Sequence, residues 1–441
     1  MPEQLLVQYM GAHVPLHRGI SLVSEAVRQA RASPGVITHR PRVALPPAGT
    51  AWSAMTVIST TARRAVRVAE RQSVELIRPM EADVGRWVLP DYRVGRARWW
   101  RVLRGLNPGV FAFVMATGIV SIGLDGAGVP VASDALLLVG LAGYVVLVVV
   151  SGWRLLRWPR QVVADVVSAR GFTFLTFVAA SDVLAARLAL DGWWRSATAF
   201  LIVGVLAYLV LGYGVPLRMI AEPRRHPTLD QVNGTWFMWV VGTQSVAVAA
   251  ATLAPSGPTT VLAVVGLVCW ATGLVLYLLL AGLGLARLLV RPVDASELVP
   301  PYWIFMGAAA ITVLAGTRLV TLPDATQLLS RDLFTGTSVV LWSFCSWLIP
   351  LLVALGVWRH IGRREPLRYD TALWSIVFPV GMYGVASDQL GRVTGAPWLV
   401  ALGGRDVWVA LAVWIIVFAA MLVAGHRWLR GDGGGRGDAT S

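Results

Sequence analysis

Thr117, Ser121, Ser181, Thr243, Gln244 and Ser245 carry hydroxyl or amide groups in the middle of apolar stretches. A polar group at membrane depth needs a partner or an aqueous lumen. Beside them, Gly118, Gly242, Gly307 and Gly381 leave backbone amides open to approach. Uncharged dipoles of this kind hold an anion weakly, which suits passage, because a deeply bound ion would not leave. The charged residues of the same stretches, Asp182, Arg187, Arg318 and Asp388, are read as lying near the outward ends. A cation path would want carboxylates at its constriction, so the pattern points to small anions. Arg187 and Arg318 are expected to collect them at an outer mouth while Asp182 and Asp388 neutralise the site; ion pairing among the four is an equal alternative.

Other chemistries find little to work with. The six histidines, His13, His17, His39, His226, His360 and His426, fall in the N-terminal tail, loops or a helix end, so no metal or haem site is expected. No Walker A motif is present, and no Ser/His/Asp set can be placed together. The chain is therefore not expected to be an enzyme or to hold a cofactor. For proton coupling, Asp182 is the one reasonable buried titratable group.

The elements that must position these residues are membrane helices. Of 441 residues, 56% are hydrophobic and 14% charged, and mean hydropathy is +0.65. Apolar runs of about 18 residues or more follow one another, as no soluble core requires. Windowed hydropathy places ten spans at 108–124, 135–153, 171–186, 197–217, 235–253, 260–285, 302–316, 337–357, 373–387 and 407–425. Cys269 and Cys345 lie inside spans and carry no motif.

All 38 basic residues are arginine, and with the N-terminus inside, 16 fall in inner loops and the C-terminal tail against six outside. The N-terminal stretch adds 16 more. This bias predicts both termini in the cytoplasm and a multi-pass plasma-membrane protein. It also assigns the net charge of +14 to topology and anionic lipid rather than nucleic acid. Residues 1–106 are read as a weakly structured basic cytoplasmic extension, in which 55–88 has rough helical periodicity. Residues 107–430 are read as the transmembrane domain and 431–441 as a disordered tail.

The odd spans resemble one another: FAFVMATGIVSIGL, FTFLTFVAASDVLA, TWFMWVVGTQSVAV, YWIFMGAAAITVLAG and LWSIVFPVGMYGVAS. Each opens on aromatics and reaches small or hydroxylated residues at mid-span, whereas the even spans lack that polar component. A hairpin repeated five times would place odd helices inside and even helices outside. The polar stripe is expected to line a pore through Thr117, Gly118, Ser121, Ser181, Gly242, Thr243, Gly307, Pro379 and Gly381. Close helix packing explains small residues equally well at 308–310.

Segments 111–124, 234–247, 302–316 and 374–386 resemble the tellurite-resistance/C4-dicarboxylate transporter family, over about residues 106–430. That family includes the bacterial tellurite-resistance protein, fungal malate permease, yeast sulfite efflux pump and the plant guard-cell slow anion channel. The resemblance implies an all-α membrane protein of ten helices in five hairpins, in a quasi-five-fold ring around a central pore in each protomer of a homotrimer. It also implies a phenylalanine plug, matched here by Phe378. From the residues alone, Phe378 before the helix-kinking Pro379 is either an occluding ring or one more packed aromatic.

The leading expectation is gated conduction of a small inorganic or carboxylate anion. A proton-coupled carrier of malate, sulfite or tellurite-related anions is the alternative. A membrane scaffold acting through its N-terminal segment is a third.

Overall fold

The computed structural model describes residues 99–430 except 169, 222–228, 292–299 and 324–327. The expectations for 1–98 and 431–441 lie outside the described residues. Residues 99–104, assigned above to the weakly structured extension, are helical.

The described chain is helical, with no strand. Ten long helices alternate in two kinds. The short ones are α1 (Ala112–Gly126), α3 (Thr176–Leu190), α5 (Met238–Leu253), α7 (Trp303–Val320) and α9 (Trp374–Thr394). The long ones are α2 (Pro130–Arg157), α4 (Trp194–Ala221), α6 (Thr259–Val290), α8 (Arg331–Val357) and α10 (Pro397–Arg430). Among the described residues, nine segments are long and apolar enough to cross a membrane, and α9 is not among them. At 21 residues α9 is long enough, but Ser387, Asp388, Gln389 and Arg392 make its last turns polar.

Burial separates the two kinds. In α1, α3, α5 and α7 the apolar window is 78–89% buried, against 22–28% in the five long helices. A long helix hides only one stripe: on α4 it is Ala197, Leu201, Gly204, Tyr208, Gly212, Val215 and Met219, at the three- and four-residue spacing of one helix face. The opposite face presents Ile202, Leu206, Leu209 and Val210 outward, as a lipid-facing helix must.

Each short helix opens through a 3₁₀ turn: Pro108–Phe111, Gly171–Leu175, Gly234–Phe237, Pro300–Tyr302 and Thr371–Leu373. Asn107, Asn233 and Asp370 cap three of these by accepting backbone N–H groups at 2.7–2.9 Å. The repeat seen in the sequence therefore has a structural counterpart.

Packing is cyclic. α1 lies against α3, α3 against α5, α5 against α7, α7 against α9, and α9 against α1 again. Each long helix packs on the short one that precedes it. Small residues permit the closest crossings. A Cβ at Gly403 of α10 would stand 2.6 Å from the backbone of Asp388 and Gly384 in α9, whereas one at neighbouring Gly404 would meet nothing within 4 Å. Gly403→Ala is expected to cost about 1–3 kcal/mol through overpacking. Gly404→Ala should leave thermal unfolding in detergent unchanged, and melting curves of the two variants check the contrast.

Candidate functional site

Cavities lie at the two ends of the short helices. At their N-terminal end, a cavity of about 380 Å³ is lined from all five, by Gly109, Thr176, Met238, Ile304 and Ser375 among others, together with Arg170, Arg359, His360 and Arg368. At the C-terminal end, two adjoining cavities of about 360 and 490 Å³ share Leu190 and Arg318. They take lining from Gly123, Leu190, Thr252, Arg318 and Gln389 of the same five helices. Thr176 and Leu190, Met238 and Thr252, Ile304 and Arg318, Ser375 and Gln389 are each about four turns apart. The two ends are thus separated by ~21 Å of helix.

α9 shows what stands between them. Pro379 abuts Gly307 of α7, Gly381 abuts Ile119 and Val120 of α1, and Gly384 abuts Asp406 of α10, while the Tyr383 hydroxyl bonds Ser346 of α8 at 2.8 Å. At about 100° per residue, these contacts leave one arc of α9 unclaimed, between α7 and α1, and Phe378 points into it. Ser375, one turn before it, and Val385, two turns after it, fall on the same arc and line the N-terminal and C-terminal cavities respectively. Phe378 is fully buried, and α9 stays helical through Pro379.

The hydroxyl stripe faces the other way, which corrects the expectation that it lines a pore. Thr117 accepts from Trp414 Nε1 of α10 at 3.0 Å. Ser121 bonds Ser133 of α2. Ser181 bonds the Tyr144 hydroxyl of α2 at 2.8 Å, and Thr243 the Tyr208 hydroxyl of α4 at 2.9 Å. Gln244 donates to the Trp270 carbonyl of α6 at 3.1 Å. The polar groups found partners in the outer layer because no water competes for them there. The glycines are seam residues too: a Cβ at Gly118 would meet Val183 of α3 at 2.6 Å, at Gly242 Leu175 at 3.2 Å, at Gly307 Pro379 at 2.8 Å and at Gly381 Ile119 at 3.1 Å. Pro379 shares the Gly307 seam.

The four charges also separate. Arg318 does line both C-terminal cavities, and its Nε has no hydrogen-bond partner. Asp388 lines one of them and is paired with Arg392 at 2.8 Å rather than with Arg318. Arg187 is no anion collector. It is fully buried, paired with Asp134 at 3.1 Å, Asp125 at 3.6 Å and closely with Asp191, and donates to Ser121 and Ser133. It ties α1, α2 and α3 together. Asp182 is not at a mouth either. It sits mid-helix, 1% exposed, with Oδ2 accepting from Ser245 of α5 at 2.8 Å and Oδ1 unpartnered, pressed against Gly204 of α4.

Sequence reasoning missed the basic cluster at the N-terminal cavity, because Arg359, His360 and Arg368 lie between α8 and α9 while Arg170 precedes α3, far away in sequence. It also missed the arc Ser375–Phe378–Val385 of α9, which helical spacing from Phe378 would have shown. Near that cavity, burial pushes the Tyr369 phenol above its ordinary value. Tyr369 takes a hydrogen bond from Trp374 at 3.2 Å, at the head of α9. Among the described residues no cluster could hold a metal.

Residues 105–422 match the family described as voltage-dependent anion channel. The chain belongs to that family. The match takes in α1 to α9 and most of α10, and bears out the resemblance read from the odd spans. An uncharacterized membrane protein of Mycobacterium tuberculosis is 50% identical over 148 residues, 33% of this chain and 75% of that protein. An uncharacterized transporter of Methanocaldococcus jannaschii is 22% identical over 319 residues, 69% of this chain and 91% of that protein. A sulfite efflux pump of Trichophyton rubrum is 21% identical over 356 residues, 73% and 91% of the two chains. This member of the voltage-dependent anion channel family is an integral membrane protein of transport type.

Because Arg187 is buried while its three aspartates reach solvent, Arg187→Ala is expected to destabilise by about 1–3 kcal/mol, the cost of losing charge-assisted hydrogen bonds and leaving Ser121 and Ser133 without their donor. Detergent-solubilised thermal unfolding measures it; a shift no larger than that of an exposed arginine would contradict the structural role.

Proposed function

We propose that the chain conducts small anions along the axis enclosed by α1, α3, α5, α7 and α9, and that Phe378 closes the path. The observation that carries this reading is the one arc of α9 on which Ser375 lines one cavity, Val385 the other, and Phe378 falls between them. The cyclic packing of the five short helices supports a quasi-five-fold ring around that axis. A fully buried aromatic ring across a narrow apolar stretch blocks ions by sterics and dewetting.

The charge arrangement supports anions. One vestibule carries Arg170, Arg359, His360 and Arg368 against the single acid Asp370, and receives the positive dipole ends of five helices. The other carries Arg318 and Arg392 together with Asp125 and Asp388, so the basic vestibule is the one that favours anions. The path between needs no carboxylate, and Asp182 is turned away from it towards α4 and α5. The family's description and the sulfite efflux relative point to the same substrate class. By the positive-inside bias, the basic vestibule opens to the cytoplasm of a cell whose plasma membrane holds the chain, with both termini inside. A homotrimer with one path per protomer is the assembly in this reading.

A second reading, a proton-coupled anion carrier, is favoured by Asp182 alone: a carboxylate at mid-membrane, with one oxygen unpartnered and no ion pair among the described residues. Reversal potentials in proteoliposomes separate the two. A channel follows the anion gradient alone, whereas a carrier moves protons with its substrate and loses that movement in Asp182→Asn.

Phe378→Ala is expected to raise chloride, nitrate or sulfite flux at least about ten-fold, a barrier lowered by ~1.4 kcal/mol or more. Unchanged anion flux, or a rise in potassium flux instead, would overturn the reading. Arg318→Gln should lower anion flux severalfold at low salt and little near 1 M, where screening acts within about 3 Å; flux measured at both ionic strengths checks this.

A further inference from the structure

Another cavity lies away from the proposed path, on the lipid-facing side of the bundle. Where the starts of α1 and α3 meet the later halves of α2 and α4, Leu106, Phe111, Val148, Phe174, Phe177 and Leu211 enclose an apolar groove of about 290 Å³. Its rim is of opposite character. Arg104, whose carbonyl accepts from the groove-lining Arg154, and Arg101 one turn before it are exposed at its edge. The nearby acid, Asp165, is already engaged by Arg154, so these two rim arginines have no carboxylate among the described residues. Arg104 Nε donates to Gln161 at 2.7 Å, and Arg157 lies over the Trp158 ring at 5.7 Å. Trp100 stacks on Trp153 at 6.4 Å and meets Trp158 edge-on at 5.8 Å. Tryptophans gather in this way at headgroup level.

We propose that this groove is a lipid site that seats one acyl chain of an anionic phospholipid, with its phosphate against the arginine rim. The groove supplies apolar volume below the tryptophan level, and the rim supplies uncompensated positive charge at the depth of the headgroup. A zwitterionic lipid would fill the same groove but bring its own cation to a rim that is already cationic. The net charge of the headgroup therefore decides the preference. This site is independent of the axis proposed for transport.

Native mass spectrometry of the full chain in detergent, titrated with dioleoyl phosphatidylglycerol or dioleoyl phosphatidylcholine, tests it. The phosphatidylglycerol adduct is expected to persist at activation energies that strip phosphatidylcholine. Arg101→Gln with Arg104→Gln should lower phosphatidylglycerol retention about five-fold per arginine and leave phosphatidylcholine unchanged. Gly152 lines the groove, and a Cβ there meets nothing within 4 Å. Gly152→Phe should therefore fill the groove and reduce retention of both lipids, while Gly152→Ala, the control for folding, keeps both. Soluble glycerophosphoglycerol should not compete. Equal retention of the two lipids by the unmodified chain, full retention in Gly152→Phe, or competition by the soluble headgroup would each overturn the proposal.

Discussion

A hydroxyl at mid-membrane has no water to bond, so it turns to whichever neighbour offers a partner. Most of this structure follows from where those partners are. Tyr144, Tyr208 and Trp414 reach in from the long helices and hold Ser181, Thr243 and Thr117 of the short ones. Trp342 of α8 does the same for Ser387 of α9 at 2.8 Å. With Trp270 of α6 donating to the Thr312 carbonyl of α7 at 3.2 Å, all five short helices are keyed to the outer layer by an aromatic donor or acceptor. Once their polar side is committed outward, the side facing the other short helices is left apolar and small. That permits the close cyclic packing and leaves cavities at the two ends.

The same constraint sorts the charges. Arg187 lies deep enough that it must be matched, and three aspartates with two serines match it. Arg318 opens onto a cavity and remains partly accessible, so its charge acts on whatever enters. At the opposite end, four basic side chains gather around the N-termini of five helices. Side-chain charge and helix dipoles have the same sign at that end. At the other end the dipoles turn negative and Asp388 is partly offset by Arg392. The two vestibules differ in field as well as in residues. The asymmetry follows directly from all five short helices running in one direction.

Much of the architecture was legible in the residues. Apolar length placed the spans, and the polar tinge of every second one separated short buried helices from long lipid-facing ones. The recurring aromatic openings marked the repeat that the 3₁₀ turns confirm. The site was read less well. Asp182 and Arg187 were placed at an outer mouth because they follow the centre of a short span. In the structure, α3 begins with its 3₁₀ turn at Gly171 and runs to Leu190, which brings Asp182 to mid-helix.

What the sequence alone determined was period: which positions recur, which helices are buried, and where Phe378 falls along α9. Tertiary structure decided azimuth. A helix enclosed on every side by protein has no solvent face to declare itself, so a polar stripe satisfies its hydrogen bonds equally well inward to a lumen or outward to a neighbour. Only the positions of Tyr144, Tyr208, Trp342 and Trp414 on helices distant in sequence turned that stripe outward.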